Sequence, residues 1–204
     1  MRTFVDFMEK YKVVCANVIL ENTFTNGTLY LGDFYAALDK KWQLKHQIVA
    51  VLTVAKDLNI EPGQGIIHKV VDAIDDPSYD LSQHFNECYE FMSIWLKRGP
   101  ILVHCAAGVS RSAAIVIYYI MRSLKWTFAK SFQHVKTKRS VICPNEGFIK
   151  QLKQHEKLLG LVIFRESTLE EEQQRKTESK PTKGVIRGRS VVIRTQKQPM
   201  TRFR

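Results

Sequence analysis

Apolar residues occur in short continuous runs in the first half of the chain, a pattern that predicts β-strands. The runs cover residues 18–20, 29–31, 48–54 and 66–71. Asn26 and Gly27 lie between the first two runs and predict the tight turn of a β-hairpin, because this dipeptide favours the twist that joins antiparallel strands. The breaker-rich segment 61–65 separates the last two runs.

Further along the chain, apolar residues recur at intervals of three and four, which predicts amphipathic helices. One helix is predicted over residues 81–98, where Gly99 and Pro100 stop the repeat. Three more are predicted over residues 112–124, 127–138 and 145–159, beginning at the capping residues Ser112, Thr127 and Asn145.

Two shorter helices are predicted near the N-terminus. The spacing of Phe4, Phe7, Met8, Tyr11 and Val14 predicts a short amphipathic helix that lies on the domain. A second helical stretch is expected to start at Asp33 and to run through Leu38.

The centre of the chain has the order strand, loop, helix. Residues 101–103 are continuously apolar, as expected for a central strand buried on both faces. Small residues follow, and the helix at 112–124 comes next. Strands early and helices late predict an α/β fold with a single central mixed sheet flanked by helices, in which this strand-loop-helix unit occupies the middle.

The composition fits a soluble globular domain. Of the 204 residues, 45% are hydrophobic and 25% are charged. The longest apolar run, residues 113–121, is less than half of the roughly 20 residues that a membrane-spanning helix needs. No secretory signal is visible at the N-terminus, which predicts a location in the cytoplasm, with the nucleus as an alternative. Four widely spaced cysteines predict reduced thiols and no disulfide framework.

Positive charge is concentrated at the C-terminus. Residues 173–204 hold ten Lys or Arg against one acid, a net +9 out of the chain's +11. Apolar periodicity fades past about residue 165. We therefore predict a folded domain over residues 1–164 and a basic, disordered tail over residues 165–204. The tail could contact acidic partners such as nucleic acid, an anionic membrane or an acidic kinase groove, or it could affect solubility alone.

Candidate chemistry lies in the loop after the central strand, where the sequence is His104-Cys105-Ala106-Ala107-Gly108-Val109-Ser110-Arg111-Ser112. A strand that ends near Cys105 and a helix that starts near Ser112 leave the intervening amides free to surround one anion. The small side chains of Ala106, Ala107 and Gly108 permit close approach of the backbone to phosphate oxygens. We name residues 105–111 the phosphate loop.

The same loop supplies a nucleophile and a clamp for a phosphate monoester. The amides, the helix dipole and the Arg111 guanidinium should favour the thiolate form of Cys105, which can attack phosphorus and form a cysteinyl-phosphate. Arg111 is always charged and can hold two phosphate oxygens at once. A carboxylic acid from the polar segment 73–80 could protonate the leaving group, and three aspartates there compete for that role: Asp75, Asp76 and Asp80.

Residues 104–112 resemble the phosphate-binding signature of the protein tyrosine phosphatase superfamily, and their surroundings resemble its dual-specificity branch, in a small atypical form. The resemblance extends over about residues 24–159, and it includes the segments 29–32 with 36–37, 81–85, and 139–148 with 151–152. In family members the general acid lies six residues before the apolar residue of the Leu-Ser segment. Counting back from Leu81 selects Asp75, with Asp76 as the alternative.

The resemblance implies further roles and limits. Ser112 would hydrogen-bond the sulfur of Cys105, His104 would help to orient the loop, and no metal cofactor would be used. Phosphotyrosine and phosphoserine or phosphothreonine proteins would be substrates, and a mitogen-activated protein kinase stays open as one of them. Asp33 departs from the small polar residue that is common after the glycine, which could alter substrate preference.

Two other functions share parts of this pattern. The same cradle could act on a phosphoinositide or on an RNA 5′ end, although the loop adds no basic residue besides Arg111. A non-catalytic phosphoprotein-binding module fits less well, because nucleophile, arginine and acid are all present.

The remaining cysteines are predicted to be inert core thiols, with a protective disulfide to Cys105 left open: Cys15, Cys88 and Cys143.

Overall fold

The structure is a computed structural model, and it describes residues 15–21 and 27–161. The predicted N-terminal helix, Asn26 of the predicted turn, and the boundary between catalytic domain and tail lie outside the described residues. Five strands form one sheet: β1 (Ala16–Leu20), β2 (Leu29–Gly32), β3 (Ala50–Val54), β4 (Ile67–Val71) and β5 (Ile101–His104).

Six α-helices and one 3₁₀ turn are present within the described residues. The helices are α1 (Phe34–Leu38), α2 (Lys40–Lys45), α3 (Phe85–Trp95), α4 (Arg111–Leu124), α5 (Phe128–Lys138) and α6 (Glu146–Leu158), and the 3₁₀ turn Ser82–His84 precedes α3. Among the described helices, none is long and apolar enough to cross a membrane.

The order of strands in the sheet is β1-β2-β5-β3-β4, so the strand that leads into the phosphate loop lies in the centre. β1 pairs antiparallel with β2, and the other three pairings are parallel. The sheet is therefore mixed, and the predicted fold class is confirmed. Because β2 and β3 both pair parallel with β5, the carboxyl ends of all three strands lie at the same edge, where loops of an α/β sheet form ligand sites.

Both faces of the sheet are covered. Alternate strand residues such as Leu31, Leu52 and Val103 pack with α3 to α6 in the larger core cluster. Their neighbours Val51 and Leu102 face a smaller cluster with α1 and α2. This alternation, with apolar residues on both sides, explains why β3 and β5 read as continuous apolar runs.

Several element boundaries differ from the predictions. The antiparallel pairing of β1 with β2, which the hairpin signal predicted, is confirmed. The helix predicted over residues 81–98 begins with the 3₁₀ turn, because Asp80 Oδ1 accepts hydrogen bonds from the N–H and hydroxyl of Ser82. Helix α2 was not predicted, and Asp39 caps it by accepting from the N–H of Trp42.

Helix starts follow the predictions in two cases out of three. Thr127 and Asn145 cap α5 and α6 as predicted, through hydrogen bonds to the N–H of Lys130 and Phe148. The prediction for Ser112 was wrong, since α4 begins at Arg111 and Ser112 lies inside its first turn. Its hydroxyl points to a side chain instead of the helix backbone.

Candidate active site

The phosphate loop joins the end of β5 to the start of α4. Gly108 has a φ of +65°, a conformation that costs other residues energy, and a Cβ there would collide with the carbonyl oxygen of Gly32. A glycine is therefore required at this position, both for the turn of the loop and for its close packing on β2.

Backbone carbonyls of the loop are hydrogen-bonded from outside it. The N–H of Phe34 donates to the Ala106 oxygen at 3.0 Å, and the N–H of Cys143 donates to the Val109 oxygen at 2.8 Å. With its carbonyls turned outward, the loop directs N–H groups towards its interior. The Gly108 N–H shows this, because it donates to the sulfur of Cys105 at 3.3 Å. Amides with this orientation are the groups that an anion cradle uses.

Arg139 supports the loop from behind. Its side chain is 5% exposed, its Nε donates to the Gly108 oxygen at 3.0 Å, and its Nη2 donates to the Ala107 oxygen at 3.4 Å. Its Nη1 donates to Asn17 Oδ1 at 2.7 Å on strand β1. Burial lowers the pKa of Arg139, and the carboxylate of Asp33 and the sulfur of Cys105 oppose that shift. A guanidinium stays charged at neutral pH all the same, so a fixed positive charge lies behind the loop.

The sulfur of Cys105 lies at the floor of the cradle and accepts two hydrogen bonds. Besides the Gly108 N–H, the Ser112 hydroxyl donates to it at 3.2 Å. The residue is 1% exposed. Both donors therefore point at the atom that the sequence predicts to be the nucleophile.

His104, the last residue of β5, is buried behind the nucleophile. Its Nδ1 lies 3.1 Å from the Cys105 carbonyl oxygen, and its Nε2 lies 2.7 Å from the Thr53 hydroxyl. Burial lowers the pKa of His104 to about 4. The hydrogen bond to the Cys105 carbonyl raises this pKa, but its effect is smaller than that of burial. His104 is therefore neutral at physiological pH.

Asp75 lies over the loop. Its Oδ1 accepts hydrogen bonds from the Ser110 hydroxyl at 2.6 Å and from the Asn145 amide at 2.9 Å. Its Oδ2 lies 3.6 Å from Arg111 Nε. The carboxylate is thus held at the mouth of the cradle, with Oδ1 anchored by two donors.

The other two candidate aspartates face elsewhere. Asp76 Oδ1 accepts from the N–H and hydroxyl of Ser78, and these hydrogen bonds lower the pKa of the exposed Asp76 carboxyl. Asp80 is engaged with Ser82 at the start of the 3₁₀ turn. Of the three, Asp75 alone contacts the phosphate loop among the described residues.

Packing against α6 holds the segment that carries Asp75. A Cβ at Gly147 would collide with the carbonyl oxygen of Pro77, so this helix start approaches the acid segment closely. Gln151 donates to the Tyr79 carbonyl oxygen at 2.8 Å and accepts from the Ser82 N–H at 3.0 Å. Both ends of the segment 75–82 are therefore tied to the helix whose cap, Asn145, also holds the carboxylate.

Arg111 lies at the first position of α4 and extends towards Asp75. Its Nη1 donates to the Ala73 carbonyl oxygen at 3.1 Å. Its Nε is buried and has no hydrogen-bond partner within the described residues. Its 3.6 Å contact with Asp75 Oδ2 is an ion pair and is too long for a hydrogen bond, so an anion bound in the cradle would give this Nε an acceptor.

The structure brings together every residue that the sequence singled out for the site, namely His104, the phosphate loop, Ser112 and Asp75. Sequence reasoning assigned no role at the loop to Arg139, Asn17 or Thr53, and it predicted Asn145 as a helix cap alone. Arg139 and Asn145 lie in the segment 139–148 that resembles the family, but no local pattern shows which atoms of the site these residues contact, because each reaches the site from a distant part of the chain.

The remaining cysteines differ in exposure. Cys88 is buried, as predicted, and burial raises its pKa to about 12. The prediction of a core thiol was wrong for Cys143, which is exposed although its neighbours Ile142 and Pro144 are buried. Cys15 is half-buried, and burial raises its pKa to about 11.

Comparisons with known proteins agree with this site. Residues 29–158 match the family model described as "Dual specificity phosphatase, catalytic domain". The chain is 40% identical over 130 residues to Dual specificity protein phosphatase 1 of Arabidopsis thaliana, a match that covers 63% of this chain and 66% of the relative. It is also 40% identical over 129 residues to Dual specificity protein phosphatase 19 of Mus musculus, covering 63% of this chain and 59% of that protein. The match thus spans less than two thirds of either relative.

A solved structure shows the same fold. The crystal structure of human DUSP28 superimposes with a TM-score of 0.67 at 29% identity, covering 72% of this chain and 96% of that one. Residues 29–158, which match the family model, contain His104, the phosphate loop, Ser112 and Asp75.

Proposed function

The chain belongs to the dual specificity phosphatase family, and from this premise we propose that it is a protein phosphatase that hydrolyses phosphotyrosine and phosphoserine or phosphothreonine monoesters through a cysteinyl-phosphate intermediate. One observation carries the proposal. The Cys105 sulfur accepts hydrogen bonds from Gly108 N–H and Ser112 hydroxyl on the floor of a loop whose carbonyls face outward. Such a sulfur is both a nucleophile and the base of an anion site.

In the first step, the Cys105 thiolate attacks phosphorus, a sulfur–phosphorus bond forms, and the bond from phosphorus to the leaving oxygen breaks. The loop amides and Arg111 bind the three equatorial oxygens, where negative charge is spread in the transition state. Protonated Asp75 gives its proton to the leaving oxygen. Because Ser110 and Asn145 hold Oδ1, we assign the transferred proton to Oδ2.

In the second step, water attacks the cysteinyl-phosphate and the sulfur leaves as a thiolate. The Asp75 carboxylate now accepts a proton from that water, which returns the acid to its starting state. The Ser112 hydroxyl donates to the departing sulfur, and the 3.2 Å distance in the free enzyme supports this role. No step requires a metal ion or an organic cofactor.

A comparison of Cys105→Ser with Cys143→Ser tests the proposal. Both variants replace a thiol by a hydroxyl, but Cys143 is exposed and contacts the loop only through its backbone N–H, which serine keeps. We expect Cys105→Ser to abolish turnover of phosphotyrosine and phosphothreonine peptides and Cys143→Ser to retain it. A matrix carrying Cys105→Ser should retain phosphoproteins from an extract of phosphorylated proteins.

Substrate class is tested with the wild-type protein. Turnover of phosphopeptides should exceed that of inositol phosphates and of triphosphorylated RNA, because Arg111 is the loop's one basic side chain. Faster turnover of either polyanion would overturn the assignment to proteins.

We further propose that the enzyme acts in signalling in the cytoplasm, with the nucleus as an alternative, and that mitogen-activated protein kinases are among the substrates to test. The basic tail supports contact with acidic partners, because residues 173–204 carry a net +9. Deleting residues 166–204 should weaken salt-dependent binding to an acidic phosphoprotein while peptide turnover persists. Unchanged binding would remove this role of the tail.

A further inference from the structure

We infer that Thr53 and His68 are positioning residues that hold Cys105 and the phosphate loop in place through His104. This inference rests on the proposed function for its kinetic consequences, but the hydrogen bonds themselves do not depend on it. Three hydrogen bonds connect the residues in series, from His68 Nε2 to Thr53 Oγ1 (2.8 Å), from Thr53 Oγ1 to His104 Nε2 (2.7 Å), and from His104 Nδ1 to the Cys105 carbonyl (3.1 Å).

The Cys105 end sets the direction of every hydrogen bond in the series. A carbonyl oxygen can only accept, so His104 Nδ1 must carry a proton and donate. Burial keeps His104 neutral by lowering its pKa, so its Nε2 has no proton and must accept. The Thr53 hydroxyl therefore donates its one proton to His104, and it can only accept from His68, whose Nε2 must be protonated.

Position in the sheet explains how the series forms. Thr53 on β3 is the Cα partner of His104 on β5 and lies between β4 and β5. His68 lies on the edge strand β4 and is half-buried, whereas Thr53 and His104 are fully buried. The series thus runs across three adjacent strands, from the edge of the sheet to its centre beneath the nucleophile.

Two features make the series more than ordinary packing. A buried threonine among the apolar side chains of β3 needs partners for its hydroxyl, and both partners it has are histidines. The bond to the Cys105 carbonyl also acts at the residue whose sulfur reacts. Fixing this peptide keeps the Cys105 sulfur where the Gly108 N–H and the Ser112 hydroxyl can donate to it.

Thr53→Val tests the inference with little change of shape. Valine fills the same space but leaves His104 Nε2 as a buried acceptor with no donor. We expect kcat to fall about tenfold, the order of effect of one lost neutral hydrogen bond, with KM changed less. A second measurement is the rate at which iodoacetamide alkylates Cys105. We define the alkylation ratio as the rate at pH 6 divided by the rate at pH 9, and we expect it to fall about tenfold because the donors are no longer aligned with the sulfur.

Conservative variants separate positioning from stability. Thr53→Ser keeps the hydroxyl and should recover most of the alkylation ratio even if it leaves a small cavity. His68→Gln keeps an N–H donor near Nε2 and should exceed His68→Leu in both kcat and alkylation ratio. Thr137→Val is the matched control, since its hydroxyl makes an exposed hydrogen bond to Gln133 within α5, and it should leave both quantities unchanged.

The outcomes distinguish this inference from the proposed function. If the wild-type protein turns over no phosphopeptide, the proposed function fails, but the alkylation ratios still report on the series. Equal ratios in wild type and Thr53→Val would overturn the inference. So would equal losses in Thr53→Val and Thr53→Ser, because the hydroxyl would then be irrelevant.

Discussion

Replacing Arg139 by methionine should weaken the phosphate loop while the fold persists. Methionine keeps much of the length and flexibility of the side chain but removes its charge and all of its donors. In the folded protein these donors bind the carbonyl oxygens of Gly108 and Ala107 and the side chain of Asn17. Arg139 itself reacts with nothing in the proposed mechanism, so a loss of activity would reflect the loop that it supports and the positive charge that it places behind Cys105.

The expected magnitude follows from these contacts. A hydrogen bond to a charged group contributes about 1.5 to 3 kcal/mol, and breaking a buried charged interaction costs about 3 to 5 kcal/mol in total. The variant also removes the cost of burying the guanidinium, which is expressed in the lowered pKa of Arg139. We therefore expect the free energy of unfolding to fall by about 2 to 4 kcal/mol, within the 5 to 15 kcal/mol that is typical of domains.

Activity should fall further than stability alone explains. Without Arg139, the peptide units at Ala107 and Gly108 are free to rotate, and an N–H that faced the phosphate can turn away. Loss of one such donor reduces a rate by about 10² to 10³. We expect kcat/KM on an aryl phosphate to fall by this factor, and the affinity for vanadate to fall with it.

Urea denaturation and steady-state kinetics provide the measurements, and Lys138→Met is the matched control. Lys138 is the exposed neighbour in sequence, so this variant also loses one positive charge but no contact with the loop. It should behave as wild type in both assays. If Arg139→Met lost stability but kept its kcat/KM, the idea that this residue shapes the anion site would be refuted.

Three further predictions concern the catalytic groups and pH. Asp75→Asn should slow turnover of phosphopeptides by about 10² to 10³, and slow aryl phosphates with good leaving groups less. Asp76→Asn should slow neither, because Asp76 bonds to Ser78, and equal slowing by both variants would contradict the assignment. Ser112→Ala should slow the second step, so that a burst of the leaving alcohol appears in rapid-mixing kinetics. If no burst appears and the first step is slowed instead, Ser112 would assist the attack by Cys105 and not its departure. An unfolded His104 binds a proton near pH 6.5, whereas burial lowers its pKa to about 4 in the fold. The unfolded state thus holds more protons between these values, and the free energy of unfolding should fall by up to about 3 kcal/mol as pH drops from 6.5 to 4. Urea titrations of His104→Gln should show a smaller slope, and an unchanged slope would assign the effect to other groups.

Features that depend on neighbours along the chain were predictable from sequence. The sequence from Cys105 to Arg111 forms a single loop, so its composition alone indicated an anion cradle with a nucleophile and a clamp. The caps at Thr127 and Asn145 act over three residues, and for that reason they could be identified locally. The continuous apolar run at residues 101–103 likewise predicted a strand buried on both faces.

Support for the loop comes from contacts that no local pattern encodes. Arg139 reaches the Gly108 carbonyl across 31 residues, Thr53 reaches His104 across 51, and Asn145 reaches Asp75 across 70. The sheet order β1-β2-β5-β3-β4 brings Thr53 beside His104, because it inserts β5 between strands that precede it in the chain. The packing of α5 and α6 in the larger core cluster brings Arg139 and Asn145 to the loop. Residue types and local spacing thus determined the reactive groups. Long-range strand pairing decided which distant side chains hold them, since such contacts depend on how the whole core packs.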